Sequence, residues 1–121
     1  IIYSESASAL STRGFYEIPL PNEKTQYSKQ LQVDSYDLNA APWSDIADSE
    51  FKLMEDDNFV AGEFVWTGFD YLGEPTPFSQ EARSSYFGIV DLCGIPKDRF
   101  YLYRSYWRPH VTTVHILPHW N

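Results

Sequence analysis

The apolar positions of the chain fall into short periodic blocks separated by long polar passages. Ile1-Ile2-Tyr3-Ser4 is a β-branched and aromatic run that predicts a strand inside a larger sheet, with Ile1, Tyr3 and Glu5 on one face. Residues 6–9 are all small, and from Phe15 to Trp43 no period is sustained, which predicts a long loop. Ser44-Asp45 has the chemistry of a helix start, and Ile46, Ala47, Phe51 and Met54 then recur near a 3.6-residue period as far as Asp57-Asn58. Val60–Trp66 alternates as a second strand, placing Gly62, Phe64 and Trp66 on one face and Ala61, Glu63 and Val65 on the other. Gly68, Gly73, Pro75 and Pro77 mark a second long loop, followed by a brief extended segment at Tyr86–Val90. Pro96 suits the first turn of a helix running to about Trp107, whose Phe100, Tyr103 and Trp107 are spaced by three and four. A last strand, Val111–Leu117, lies between Pro109 and Pro118.

Strand, loop, helix, strand, loop, helix, strand is the order of an α/β protein with parallel crossovers. A parallel sheet has to be covered on both faces, and so few elements can neither close nor cover one. The pattern therefore predicts a piece of a larger barrel, cut from a longer chain that begins before Ile1.

Composition narrows the partners. The 121 residues are 43% hydrophobic and 17% aromatic, enough for a packed core, and the rings are of the kind that stack on sugar faces or anchor interfaces. A formal net charge of −8, with only 9 Lys and Arg and those scattered, argues against nucleic acid and favours a neutral substrate. No apolar run approaches the roughly 18 residues of a membrane span. The compartment stays open, and a periplasmic or secreted parent is compatible with the sequence.

Metal and redox chemistry find little support, and no cofactor is expected. Cys93 is the lone cysteine, which excludes an internal disulfide; between Leu92 and Gly94, with no adjacent histidine, it is expected to be a buried thiol. His115 and His119 share a face if they lie on a strand, but Pro118 interrupts them and no third ligand is near, so edge packing is the expectation.

Two residues stand where a barrel keeps its chemistry, at the C-terminal ends of strands. Glu5 follows the first strand, with small residues leaving room beside it; it reads either as a catalytic carboxylate or as one that caps the next turn or pairs with Arg13. Trp66 closes the second strand, and reads either as a sugar-stacking platform or as a core tryptophan.

The stretch Ser4-Glu5-Ser6-Ala7-Ser8-Ala9-Leu10-Ser11-Thr12-Arg13-Gly14 resembles the nucleophile segment of family 2 β-galactosidases, and Gly62-Glu63-Phe64-Val65-Trp66-Thr67-Gly68-Phe69-Asp70-Tyr71-Leu72-Gly73-Glu74-Pro75 resembles their eighth barrel strand and its loop. Arg83–Asp91 leading into Pro96-Lys97-Asp98-Arg99-Phe100-Tyr101 is similar to the segment feeding the last barrel helix. His115–Asn121 resembles the first strand of the β-sandwich domain that follows. The resemblance leaves out only the variable loop Glu17–Ala41. It implies that residues 1–108 are the C-terminal part of a (β/α)8 catalytic barrel, about its last two βα units, and that residues 109–121 are a linker and the first strand of the next domain.

Carried over residue by residue, the resemblance makes Glu5 the nucleophile of a retaining glycosidase and Trp66 a wall of the sugar subsite. A cis Trp66–Thr67 peptide is expected with it. Asp70 and Tyr71 become candidates for substrate hydroxyls, with turn stabilisation the other reading of Asp70. Arg13 becomes a supporting residue that orients Glu5, or salt-bridges elsewhere. Retention needs a second carboxyl, roughly 5 to 5.5 Å away, to act as acid and base. In this family it follows an Asn at the end of the fourth strand, outside this chain; Glu63, Glu74 and Asp70 are poor replacements. Relatives that cut glucuronides carry Asn and Lys where this chain has Ser85 and Phe87, so a uronic acid would find no cation. Phe87 also cannot ligate the sodium ion that an asparagine holds in some β-galactosidases. The expected substrate is β-galactoside-like, the expected partner is the rest of the parent barrel, and the isolated piece is expected to be inactive. A non-catalytic carbohydrate-binding module using Trp66, Tyr71 and Trp107, or a purely structural fragment, is the alternative.

Overall fold

A computed structural model describes residues 1–17 and 30–118. Its elements are strands β1 (Ile2–Ser6), β2 (Ala9–Leu10) and β3 (Asn39–Ala40), helix α1 (Ala47–Asp56), strand β4 (Gly62–Val65) and helix α2 (Asp98–Trp107). β1 pairs in parallel with β4, and β2 pairs antiparallel with β3. The parallel pair with α1 in its connection is the mixed α/β arrangement that the periodicity predicts. Within the long polar passage, β3 returns to β2, so that part of the loop carries a short ladder.

The register of the parallel pair is uneven: Tyr3 stands opposite Glu63 and Ser6 opposite Val65, so β1 uses one more residue than β4 over this step. The bulge corrects the strict alternation expected of β1. The Ser6 hydroxyl donates to the Glu63 carboxylate, which puts Ser6 on the face of Glu63 and Val65. Glu5, its neighbour, is exposed and stands on the opposite face with Phe64. Tyr3 and Glu5 therefore do not share a face.

Two packed clusters lie beneath. Ala7, Ala47, Phe51, Ile89 and Tyr103 form one, with Val65 and Met54 against it. Phe51 joins the helices: its ring stacks on Tyr106 at 3.9 Å and 5°, and meets Tyr103 edge-on at 5.1 Å. Leu10, Val33, Ala41, Ala82, Tyr86 and Phe87 form the other. The small run 6–9 is needed for packing, since all four residues are buried, and Ala7 adopts φ 45° at the turn out of the strand.

Both helices start later than their composition suggests. α1 has Ile46 at its N-cap with no side-chain cap, because the Ser44 hydroxyl accepts the Ser8 N–H at 3.0 Å and so holds the loop after β1. Asp48 and Glu50 in its first turn suit the positive end of the helix. Lys97, not Pro96, precedes α2, and its side chain turns into the interior. Tyr86–Val90 makes isolated bridges at Val90, parallel to Phe69 and antiparallel to Pro96, in place of a strand.

The strand expected at Val111–Leu117 is not formed. No strand lies beside it among the described residues, and a lone strand leaves its backbone groups without a ladder; Val114 is 82% and Ile116 72% exposed. His115 packs at an edge, stacking on Tyr101 at 3.9 Å and bonding Asp98 at 2.6 Å. His119, the rest of the expected terminal strand and residues 18–29 of the variable loop lie outside the described residues.

Gly88 is the glycine at which the backbone leaves no room for a side chain. A Cβ there would lie 2.2 Å from the Asp70 nitrogen and 2.4 Å from the Val90 oxygen, both backbone atoms that cannot swing aside. Gly88→Ala should cost at least about 1–3 kcal/mol by overpacking, seen as a lower thermal midpoint. An unchanged midpoint would mean that this backbone approach is looser than described.

Candidate active site

β1 and β4 end together. The Trp66 N–H donates to the Ser6 carbonyl at 3.0 Å, one step beyond the Ser6–Val65 pairing. Glu5 and Trp66 thus stand at the same C-terminal edge of adjacent parallel strands. Ser8 Oγ lies 3.5 Å from Glu5 Oε1, a long contact that leaves the carboxylate largely open. Trp66 is 37% exposed, and the Trp66–Thr67 peptide is cis, as the sequence resemblance implies. The indole is met edge-on by Tyr71, with centroids at 6.0 Å and planes at 82°. Its Nε1 donates to the Tyr71 hydroxyl at 3.2 Å, and that hydroxyl donates to the Glu74 carboxylate.

Behind this edge lies a buried polar framework. Lys97 Nζ donates to the Ser11 carbonyl at 2.8 Å and the Tyr86 carbonyl at 3.1 Å, and pairs with Asp70 Oδ2 at 2.7 Å; the two side chains are 2% and 7% exposed. Asp70 Oδ1 accepts the Gly88 N–H at 2.7 Å and the Ser85 hydroxyl at 3.1 Å. Arg99 donates to the Ala9 carbonyl and to Ser11 Oγ, and pairs with Asp37 at 3.0 Å. Burial, reinforced by nearby Arg99, pushes the Lys97 amine down to about 8, with Asp70 pulling the other way. Burial likewise raises the Asp37 carboxyl, opposed by Arg99.

The sequence candidates separate accordingly. Glu5, Trp66 and Tyr71 are at the strand-end edge. Asp70 is committed to Lys97, Ser85 and Gly88, which corresponds to the turn-stabilising reading rather than to an open substrate contact. Arg13 does not meet Glu5: its Nε lies 2.5 Å from Asp91 Oδ2, the salt bridge elsewhere that its sequence context left open. Burial alone would raise Asp91, but the Arg13 guanidinium and the N–H groups of Ile95 and Cys93 outweigh it and hold the carboxyl below its usual range. Cys93 is exposed, contrary to expectation, because it sits in the turn that Asp91 caps, where its own N–H reaches Asp91 Oδ1 at 2.9 Å.

The burial of Lys97 and Arg99 has only a faint signal in the sequence. A lysine at the N-cap of a helix faces the positive end of its dipole, so it needs partners elsewhere. Among the described residues no group of three or more His, Cys, Asp or Glu is arranged to hold a metal, and no helix is long and apolar enough to cross a membrane.

Comparison with known proteins adds relatives to this geometry. The chain is 45% identical to Beta-galactosidase BoGH2A of Bacteroides ovatus over 128 aligned residues, covering 99% of this chain and 15% of that protein. It is 33% identical, over 89% of its length, to a Formosa agariphila protein whose name proposes a β-glucuronidase, of which it covers 12%. Among solved structures, a beta-glycosidase from Bacteroides vulgatus aligns over 98% of this chain and 18% of that one, with a TM-score of 0.72 at 30% identity. No family model matches the chain. It spans about 15% of the length of the curated β-galactosidase it matches.

Breaking the Lys97–Asp70 pair from one side leaves a buried charge without its counterion. Lys97→Met should therefore destabilise the protein by about 3–5 kcal/mol, while Lys97→Met with Asp70→Leu should recover part of the loss. Thermal denaturation of the three forms decides it. A single variant as stable as the parent would show that the pair does not carry the framework.

Proposed function

Since the chain is a homologue of β-galactosidase-like glycosidases, we propose that it supplies the nucleophile, Glu5, and one sugar-binding wall, Trp66, to the catalytic barrel of a retaining β-glycoside hydrolase of family 2. The observation that carries this reading is the shared strand end: a carboxylate and an exposed indole at the C-terminal edge of neighbouring parallel strands are placed as a barrel places its active site. On this reading residues 1–108 are the last two βα units of the barrel. Residues 109–118 then begin the passage to a following β-sandwich domain. The exposed faces of Ile1, Ile2 and Phe64 await the rest of the barrel as their partner.

In this mechanism a Glu5 oxygen attacks the anomeric carbon as the aglycone oxygen departs, protonated by a carboxylic acid outside the chain. Water, deprotonated by that same group, then displaces Glu5 with net retention. Glu63 is turned to Ser6 and Glu74 to Tyr71, so neither is offered as the second carboxyl. By itself the chain therefore has half of the machinery, and we assign the activity to the intact parent.

A neutral, galactoside-like sugar suits the site better than a uronic acid. One relative is named for β-galactosidase and another name proposes β-glucuronidase. Here Ser85 and Phe87 are buried at 2% and 1% exposure and carry no cation for a substrate carboxylate.

Replacing the nucleophile tests the assignment. Glu5→Ala in the intact parent should lower turnover of an aryl β-galactoside by at least about a thousandfold, since covalent catalysis supplies several kcal/mol of barrier reduction. Added azide should restore aryl release and yield the α-galactosyl azide, because it enters from the vacated face. Turnover within about tenfold of the parent, or a β-azide product, would remove Glu5 from this role.

A further inference from the structure

We propose that Glu74 is a positioning residue that sets the angle of the Trp66 indole through the Tyr71 hydroxyl. The inference rests on the reading of Trp66 as a wall of the sugar subsite, and adds to it a residue that touches neither the indole nor the reacting atoms.

The three side chains form a directional relay. An indole N–H can only donate and a carboxylate can only accept, whereas a phenol does both. Trp66 Nε1 donates to the Tyr71 oxygen at 3.2 Å, and the Tyr71 hydroxyl gives its hydrogen to Glu74. With the hydrogen fixed on Glu74, the phenol oxygen keeps its lone pairs turned toward the indole. Burial, with the bond to Glu74, pushes the Tyr71 phenol up to about 12, so it stays a donor at any ordinary working pH. Without the carboxylate, the hydroxyl is free to rotate toward water and the indole loses its oriented acceptor.

The mount of the relay is rigid where its tip is open. The Tyr71 N–H donates to Ser85 Oγ at 3.1 Å, and the Ser85 N–H donates back to the Tyr71 carbonyl at 2.8 Å. The Gly73 N–H donates to the Arg83 carbonyl at 2.8 Å. Glu74 itself is exposed and takes φ 42°, a left-handed conformation that costs a non-glycine residue free energy. A glycine would sit there without strain but would have no carboxylate to offer Tyr71.

Because Glu74 is exposed, its variants should fold, and an unchanged thermal midpoint confirms it. In the intact parent, the inhibition constant of a non-hydrolysable β-thiogalactoside and the kcat for an aryl β-galactoside separate sugar seating from chemistry. Glu74→Ala should weaken the inhibitor about three- to tenfold, the range of one net hydrogen bond, with kcat changed less than about twofold. Glu74→Gln, which keeps an acceptor oxygen, should recover most of that loss. Tyr71→Phe should match Glu74→Ala, and adding Glu74→Ala to Tyr71→Phe should cost nothing more. An unchanged inhibition constant in Glu74→Ala, or additive losses in the double variant, overturns the relay. Trp66→Ala separates the two readings. If it weakens the inhibitor while Glu74→Ala does not, only the relay fails; if it leaves the inhibitor unaffected, the subsite reading and the relay fall together.

Discussion

Three segments with hardly any regular ladder between them meet on one buried ammonium. Lys97 gathers the Ser11 carbonyl after the first strand, the Tyr86 carbonyl and the Asp70 carboxylate into a space of a few ångströms, and Arg99 repeats the arrangement beside it with Ala9, Ser11 and Asp37. Removing such cations from water costs several kcal/mol each, and that cost is offset only when every acceptor is in place. The loops are therefore held as a set. Asp70 extends the set to Gly88 and Ser85, and Ser85 extends it to Tyr71, so the chain of causes runs from the start of α2 to the aromatic edge where Glu5 and Trp66 stand.

What the sequence revealed depends on range. Local period was enough for both helices and for the parallel pair, because an amphipathic repeat such as Ile46, Ala47, Phe51 and Met54 fixes its own element. The strand-end placement of Glu5 and Trp66 follows from element order, and it too was legible. The destination of Arg13 was not: Asp91 is distant in sequence, and nothing local distinguishes a guanidinium that will meet Glu5 from one that will meet Asp91. The apolar neighbours of Cys93 suggest burial, whereas the turn capped by Asp91 decides its exposure. Val111–Leu117 does alternate, yet a strand exists only in company.

Charge and exposure divide the surface in a way composition does not show. The strongly acidic total coexists with an interior in which two cations are each matched by a carboxylate, so these pairs add nothing to the net charge. Lys97 and Arg99 are paired with Asp70 and Asp37, and Arg13 with Asp91. Glu5 instead meets the Ser8 hydroxyl, 3.5 Å from its Oε1.

The bulge between Tyr3 and Ser6 carries a consequence for heredity. Which side of the sheet receives the carboxylate is settled by counting, not by side-chain chemistry, since three steps along β1 answer two along β4. A missense change at Ser4 alters one exposed side chain and leaves the count alone. The loss of the Ser4 codon would either erase the bulge or shift the pairing of Ile2 and Tyr3 along β4. In the second case Ile2 and Tyr3 would exchange faces, with Glu5 and Trp66 still encoded. At this strand, length is under tighter constraint than spelling.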